Sequence, residues 1–173
     1  MTLYYPKSQL LFTALLAILL GTGLHFLYSW YPNGATALFS PICESLWEHI
    51  KIIFWPYLLA ALYLNRGRPG GMRPWCLSLL LICAGMLLLG YGYHILFGGR
   101  AMWVDILLYV LLMALGFWLP TRFSGPFEGP GWLLPPLLTV LLAAAILVFT
   151  LWPPQLLLFA DLSLTGAWYP LPC

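Results

Sequence analysis

The sequence predicts an all-α protein: a polytopic transmembrane helical bundle of five spans with an interfacial C-terminal segment. Two observations carry that prediction. Only 7% of the 173 residues are charged, while 62% are hydrophobic and 17% aromatic, against roughly 25% charged residues in an ordinary soluble domain. Seven Lys+Arg and five Asp+Glu are too few to clothe a globule in water. Apolar runs of the roughly 20 residues needed to cross a bilayer then recur at residues 8–28, 41–65, 74–97, 101–119 and 132–152. The chain, residues 1–173, reads as a single integral membrane domain.

The first run extends past the h-region of a signal peptide, lacks an Ala-x-Ala end and is followed by further spans, so it reads as a retained helix. The second is introduced by Ser40 and Pro41, an N-cap and N1 pair that places Glu44, Glu48 and His49 in its opening turns. Pro56 in its interior predicts a kink. The third and fourth runs carry Gly85, Gly90, Gly92 and Gly116, and the fifth an Ala triplet at 143–145, small residues that let helices approach closely. None of the runs alternates strictly, and each is about twice the length of a membrane barrel strand. In the tail, the apolar residues 156–160 are too few to span, and Pro153, Pro154, Pro170 and Pro172 restrict helix. An interfacial segment on the outer face results.

Basic residues set the orientation. Lys7, Arg66, Arg68, Arg73 and Arg122 share one side and Arg100 lies alone on the other, which predicts an N-terminus in the cytoplasm and a C-terminus outside. Trp75, Trp118 and Trp132 then fall near the inner interface, Trp30, Trp47, Trp103, Trp152 and Trp168 near the outer one, and Trp55 in mid-span. The basic residues form no stripe, so no nucleic-acid partner is expected. No nucleotide loop, haem-attachment motif or nucleophile elbow occurs. Cys43 and Cys173 are the two cysteines that both reach the outer side, where a disulfide could join them.

The ionisable residues carry the functional signal. His25 ends the first span, Glu44, Glu48 and His49 open the second, His94 ends the third and Asp105 opens the fourth, so four helices bring acids and imidazoles to one depth beneath the outer surface. Asp161 lies in the tail, and Glu128 alone lies on the cytoplasmic side. Charged groups at such depth are costly and face the bundle or a wet cavity. On a continuous helix, Glu44, Glu48 and Lys51 share one face. One outcome is a structural network, with Glu48 paired to Lys51 and Asp105 to Arg100. The other is a site. Glu44, Glu48, His49 and Asp105 are its candidate catalytic residues, the two glutamates as unequal carboxylates. His25, His49, His94 and Asp105 are candidate ligands for a divalent metal such as Zn.

The segment HFLYSWYPNGATALFSPICESLWEHIKIIFWP at residues 25–56 contains an FSP-x-x-ES-x-WEH-x-K block. Trp103 and Asp105 follow as W-x-D, and LFADLSLTG closes the pattern at residues 158–166. Together they resemble a family of small prokaryotic integral membrane proteins known only as a domain of unknown function, although Ala167 and Trp168 depart from its pattern. The resemblance implies a compact multi-span fold in a prokaryotic cytoplasmic membrane and implies no activity.

These features favour a membrane-embedded hydrolase or transferase, with metal dependence open, acting on a lipid-like substrate from the outer side. Two alternatives stand beside it, so enzymatic activity itself stays open. A transporter or proton-coupled binding subunit would need a polar path inward, yet the inner halves of the spans hold almost no ionisable groups. An accessory subunit of a larger membrane complex would use the cluster structurally and would have membrane subunits as partners. Membrane lipid is a partner in every case.

Overall fold

The structure, a computed structural model, describes residues 5–68 and 70–164. Among these residues the chain forms six α-helices: α1 (Lys7–Trp30), α2 (Gly34–Phe39), α3 (Leu46–Leu64), α4 (Met72–Tyr91), α5 (Met102–Trp118) and α6 (Leu134–Leu151). A π-turn, Gly92–Leu96, prolongs α4, and 3-10 turns flank α5 and α6. Four stretches, Lys7–Trp30, Met72–Leu96, Met102–Arg122 and Pro130–Leu151, are long and apolar enough to cross a membrane, which fits an integral membrane protein.

The remaining long helix, α3, differs from the other four for a reason of position. It has 19 residues, about 28 Å at the usual rise per residue, and α1, α4, α5 and α6 all pack on it. Most of its side chains are buried. A helix fenced in by protein does not need a lipid-facing surface, so α3 can hold the buried Glu48 and Lys51 that lower its hydropathy. Its start also corrects the expectation from sequence. It begins at Leu46, capped by Ser45, and the preceding residues form the separate helix α2 and a connector.

The α1–α3 contact shows how small residues build the bundle. The buried positions of α1 are Thr13, Ala17 and Gly21, spaced by four as in other close membrane-helix packings. Helix α3 runs on through Pro56, which has no N–H for the Ile52 carbonyl one turn back. That carbonyl faces α1, where a Cβ on Gly21 would overlap both it and the Tyr109 hydroxyl. The Tyr109 hydroxyl in turn donates to Ile18 O at 2.9 Å and ties α5 to α1. Gly116 lies against Ile82 and Tyr57, Gly85 against Leu112 and Gly90 against Leu46, whereas Gly92 faces open space.

The two ends of the bundle are unlike. At the end holding the chain's first described residues, Tyr57, Trp75 and Phe117 pack together, Phe117 edge-on to both other rings, with centroids 5.2 to 5.5 Å apart. The Tyr57 and Ser78 hydroxyls both donate to Gly116 O, at 2.7 and 2.8 Å. Trp75 Nε1 donates to the Tyr5 hydroxyl, which donates to Asn65 Oδ1. Most of the basic residues lie here. Arg68 lies 4.4 Å from the Tyr5 ring centroid, Arg122 4.7 Å from that of Trp118, and Arg73 donates to Phe127 O.

At the opposite end the tail folds back as two 3-10 turns, Leu157–Phe159 and Leu162–Leu164. Phe159 stacks on Trp47 at 5.1 Å, and Leu162 N donates to Glu44 O at 3.1 Å. Cys76 and Cys83 are free, buried thiols. Cys43 is disulfide-bonded, and Cys173, the partner expected for it, lies outside the described residues, as does Trp168.

Candidate functional site

Between α1 and α3 the chain makes a detour that brings Glu44 to two histidines. Asn33 caps α2 through a reciprocal arrangement with Thr36, which turns the chain back immediately after α1. Ser40, at the far end of α2, is wholly buried and enters the hydrogen-bond ladder of α1. Its hydroxyl donates to Leu24 O at 2.5 Å and accepts from Tyr28 N at 2.9 Å, so a side chain stands where one helical bond would close. His25 lies within that opened turn.

A buried ion pair holds the detour from below. Lys51 Nζ donates to Glu48 Oε2 at 2.5 Å, to Ala37 O at 2.8 Å and to Ser40 O at 3.4 Å. The same carboxylate oxygen accepts from Ile42 N at 2.9 Å, and Trp55 Nε1 donates to Leu38 O at 3.1 Å. Lys51 and Glu48 are essentially inaccessible. Both are used up in pinning the connector, so Glu48, expected among the catalytic residues, stands apart from the other acids and imidazoles. The shared helix face expected for Glu44, Glu48 and Lys51 does not form, because Glu44 precedes the first turn of α3.

What the connector delivers is a carboxylate between two imidazoles. Glu44 Oε1 lies 3.9 Å from His25 Nε2, and Oε2 lies 3.3 Å from His49 Nε2. The two rings are 5.3 Å apart. His49 is fixed by its own helix start, since its Nδ1 lies 2.7 Å from Ser45 O. The Ser45 hydroxyl meanwhile accepts from Glu48 N. Sequence reasoning missed Ser45, although Ser-x-x-Glu at 45–48 is the signature of a capped helix start. The hydrogen bond with His49 holds the Glu44 carboxyl below its ordinary value of 4.5; partial burial opposes this, and the nearby His49 and His25 charges reinforce it.

Next to this triad stands a second pair. His94 Nε2 lies 2.8 Å from Asp105 Oδ1, and His94 Nδ1 lies 2.9 Å from Gly99 O. The π-turn carries His94 out of the α4 repeat, a distortion often found at functional sites. The following turn is closed by Gly99 N donating to Tyr93 O, and by Ala101 N donating to the Tyr93 hydroxyl. The acceptor expected for Arg100 thus takes His94. Both His94 nitrogens face acceptors.

Two cavities meet on these residues. A cleft of about 510 Å³ runs past Glu44, His49, His94, Arg100, Asp105 and Ser163. A second, of about 370 Å³, lies between α1 and α5, lined by Thr22, Phe26, Met102, Ile106 and Tyr109 together with His25. Glu44, His49, Met86 and Asp105 line both. Of the residues expected from sequence, the structure therefore groups His25, Glu44 and His49 as one set and His94 with Asp105 as another. The four expected ligands do not form a single constellation.

Neither the curated proteins nor the solved structures compared with the chain give a match. One protein family does match, over residues 4–169. By that match the chain belongs to the family of unknown function DUF6512.

Proposed function

We propose that the protein is a membrane-embedded hydrolase or transferase that acts on a lipid-like substrate at the outer face of a prokaryotic cytoplasmic membrane. The observation that carries this reading is the junction of the two cavities. A cleft whose wall carries Glu44, His49, His94, Arg100 and Asp105 and a more apolar groove meet on Glu44, His49 and Asp105. A molecule with an apolar chain and a polar head fits such a division, its head–chain linkage lying against the ionisable wall. Phe26, Met102 and Ile106, on the groove side, are well exposed on the outside of the bundle, which offers the chain a lateral entrance from the bilayer.

The two sets then take different parts of an acid–base reaction. Glu44 and His49 accept the proton of the attacking water or hydroxyl as its oxygen bonds to the electrophilic centre. His94, oriented by Asp105 and the Gly99 carbonyl, supplies a proton to the departing oxygen. Five basic residues, Lys7, Arg66, Arg68, Arg73 and Arg122, lie at the opposite end of the bundle, which supports an outward-facing site by the positive-inside rule. The same arrangement speaks against transport, because the aromatic packing of Tyr57, Trp75 and Phe117 occupies the path inward.

The test is untargeted. The detergent-purified chain is incubated with a total polar lipid extract in mixed micelles, and the lipids are compared by mass spectrometry with those from His49→Ala and Asp105→Asn. Conversion by the wild type that both variants lose supports the reading. Identical lipid profiles for all three proteins overturn it and leave an accessory subunit, which copurification with a larger assembly would reveal.

A further inference from the structure

We infer that His25, Glu44 and His49 form a binding site for a divalent transition-metal ion of the zinc type, with one coordination position open to the cleft. The inference stands on the geometry of three side chains and does not require the lipid reading; with the ion bound, Glu44 and His49 are its ligands, and activating the attacking water would pass from them to the ion.

Convergence is the first argument. One ligand atom from each residue lies within 4.8 Å of the other two, although the residues come from α1, the connector and α3. Tetrahedral zinc with bonds of 2.0–2.2 Å sets its ligand atoms roughly 3.3–3.5 Å apart. The nearest approaches, 3.3 Å from Glu44 Oε2 to His49 and 3.9 Å from its other oxygen, Oε1, to His25, are close to that edge, and an inward movement of the exposed Glu44 and of His25 brings one oxygen within reach of both rings.

The hydrogen bonding is the second argument, and it is independent of the first. His49 Nδ1 faces the Ser45 carbonyl, as the outer nitrogen of a metal-bound imidazole does. With Nδ1 engaged there, Nε2 is the nitrogen turned toward the Glu44 carboxylate, 3.3 Å away, a contact that either a proton or a cation between the two completes. His25 makes no hydrogen bond among the described residues. Its Nε2 is beyond hydrogen-bonding distance of Glu44, and its Nδ1 is buried without a partner. No hydrogen bond among the described residues holds the ring where it stands, and an ion at Nε2 would fix it there.

The donor set selects the ion. Two imidazoles and one carboxylate suit zinc and its neighbours; they lack the thiolates of a soft-metal site and the many oxygens that calcium or magnesium takes. Three protein ligands with an open side is also the arrangement of catalytic rather than structural zinc. Glu44 and His49 both line the cleft and the groove, so the open position faces the space proposed for substrate. His94 and Asp105 stay outside the first coordination sphere, since both His94 nitrogens are engaged.

The full chain, purified in detergent, is stripped with a chelator, loaded with zinc, desalted and analysed for metal by mass spectrometry. Cobalt(II) loading gives a visible spectrum as a second readout. About one zinc per wild-type chain is expected. His25→Ala and the near-isosteric Glu44→Gln should weaken binding by at least the roughly 10–100-fold that loss of a mere orienting partner costs, while His94→Ala keeps the metal. Zinc at background in wild type that elutes as a single species and melts cooperatively would overturn the site. Loss in His94→Ala with retention in His25→Ala would overturn the ligand assignment. Because metal content is read without any substrate, zinc binding alongside unchanged lipids would refute the lipid reading and leave this inference standing.

Discussion

Replacing Lys51 with Met tests whether the buried pair is what holds the Glu44 connector. Met keeps the length of the side chain and removes its charge. The Glu48 carboxylate, 3% exposed, would keep only the Ile42 N–H, and the carbonyls of Ala37 and Ser40 would lose their shared donor. Removing one partner of a buried ion pair costs about 3–5 kcal/mol, and in a chain of this size each kcal/mol lowers the melting temperature by about 2–4 °C. A fall of about 6–20 °C is expected. Cys76 and Cys83 supply the assay, being free thiols 5% and 2% exposed that a thiol-reactive fluorophore reaches on unfolding. The double variant Glu48→Gln with Lys51→Met removes both charges and leaves an amide oxygen for Ile42 N, so it should recover half or more of the loss. A fall below about 2 °C for Lys51→Met, or strict additivity in the double variant, would refute the reasoning, because charges that do not feel each other show no coupling.

Three further outcomes are expected. His94→Ala should cut turnover of the lipid identified by mass spectrometry by about 10²–10⁴-fold, the usual worth of a positioned acid, with little change in the thiol-dye melt; unaltered turnover would remove the pair from the reaction. Because the Glu44 carboxyl is depressed below its ordinary 4.5, its contribution to stability is complete above about that pH and is lost as the pH falls through the depressed value. The melting difference between wild type and Glu44→Gln should therefore be widest near neutrality and close in acid, and a difference that widens in acid would contradict it. Gly21→Ala should cost about 1–3 kcal/mol by overpacking against Ile52 O and Tyr109, whereas Gly23→Ala, inside the same helix with nothing nearby, should hold the melt or raise it slightly.

The helical bundle was legible because the bilayer imposes run lengths that composition alone reveals. The fifth run, expected at 132–152, is found as α6 at Leu134–Leu151 with its 3-10 lead-in. The second was misjudged at its start, where two serines compete to cap. Ser40 followed by Pro41 satisfies the local rule, but Ser40 is spent on the backbone of α1, and Ser45 caps instead. From that shift of five residues follows the different fate of the two glutamates. Periodicity places residues on a face only within one helix, and Glu44 is outside it. That His25, Glu44, His49, His94 and Asp105 gather at one end of the bundle was also legible, since each residue's distance from the end of its run can be counted. Their division into a triad and a pair was not, because His25 and Glu44 meet through a connector whose path depends on Lys51, and His94 is turned by a π-turn that no spacing announces.

The aromatic packing around Trp75 also bears on kinetics. With Tyr57 and Phe117 filling the bundle beyond the site, a molecule entering the cleft or the groove would find no way on through the bundle and would leave at the end where it came in. On the proposed function, product and substrate would share that end, so a released acyl chain or head group would compete with the next molecule for occupancy. Turnover should then slow as product accumulates while substrate is still abundant, and dilution should restore the rate.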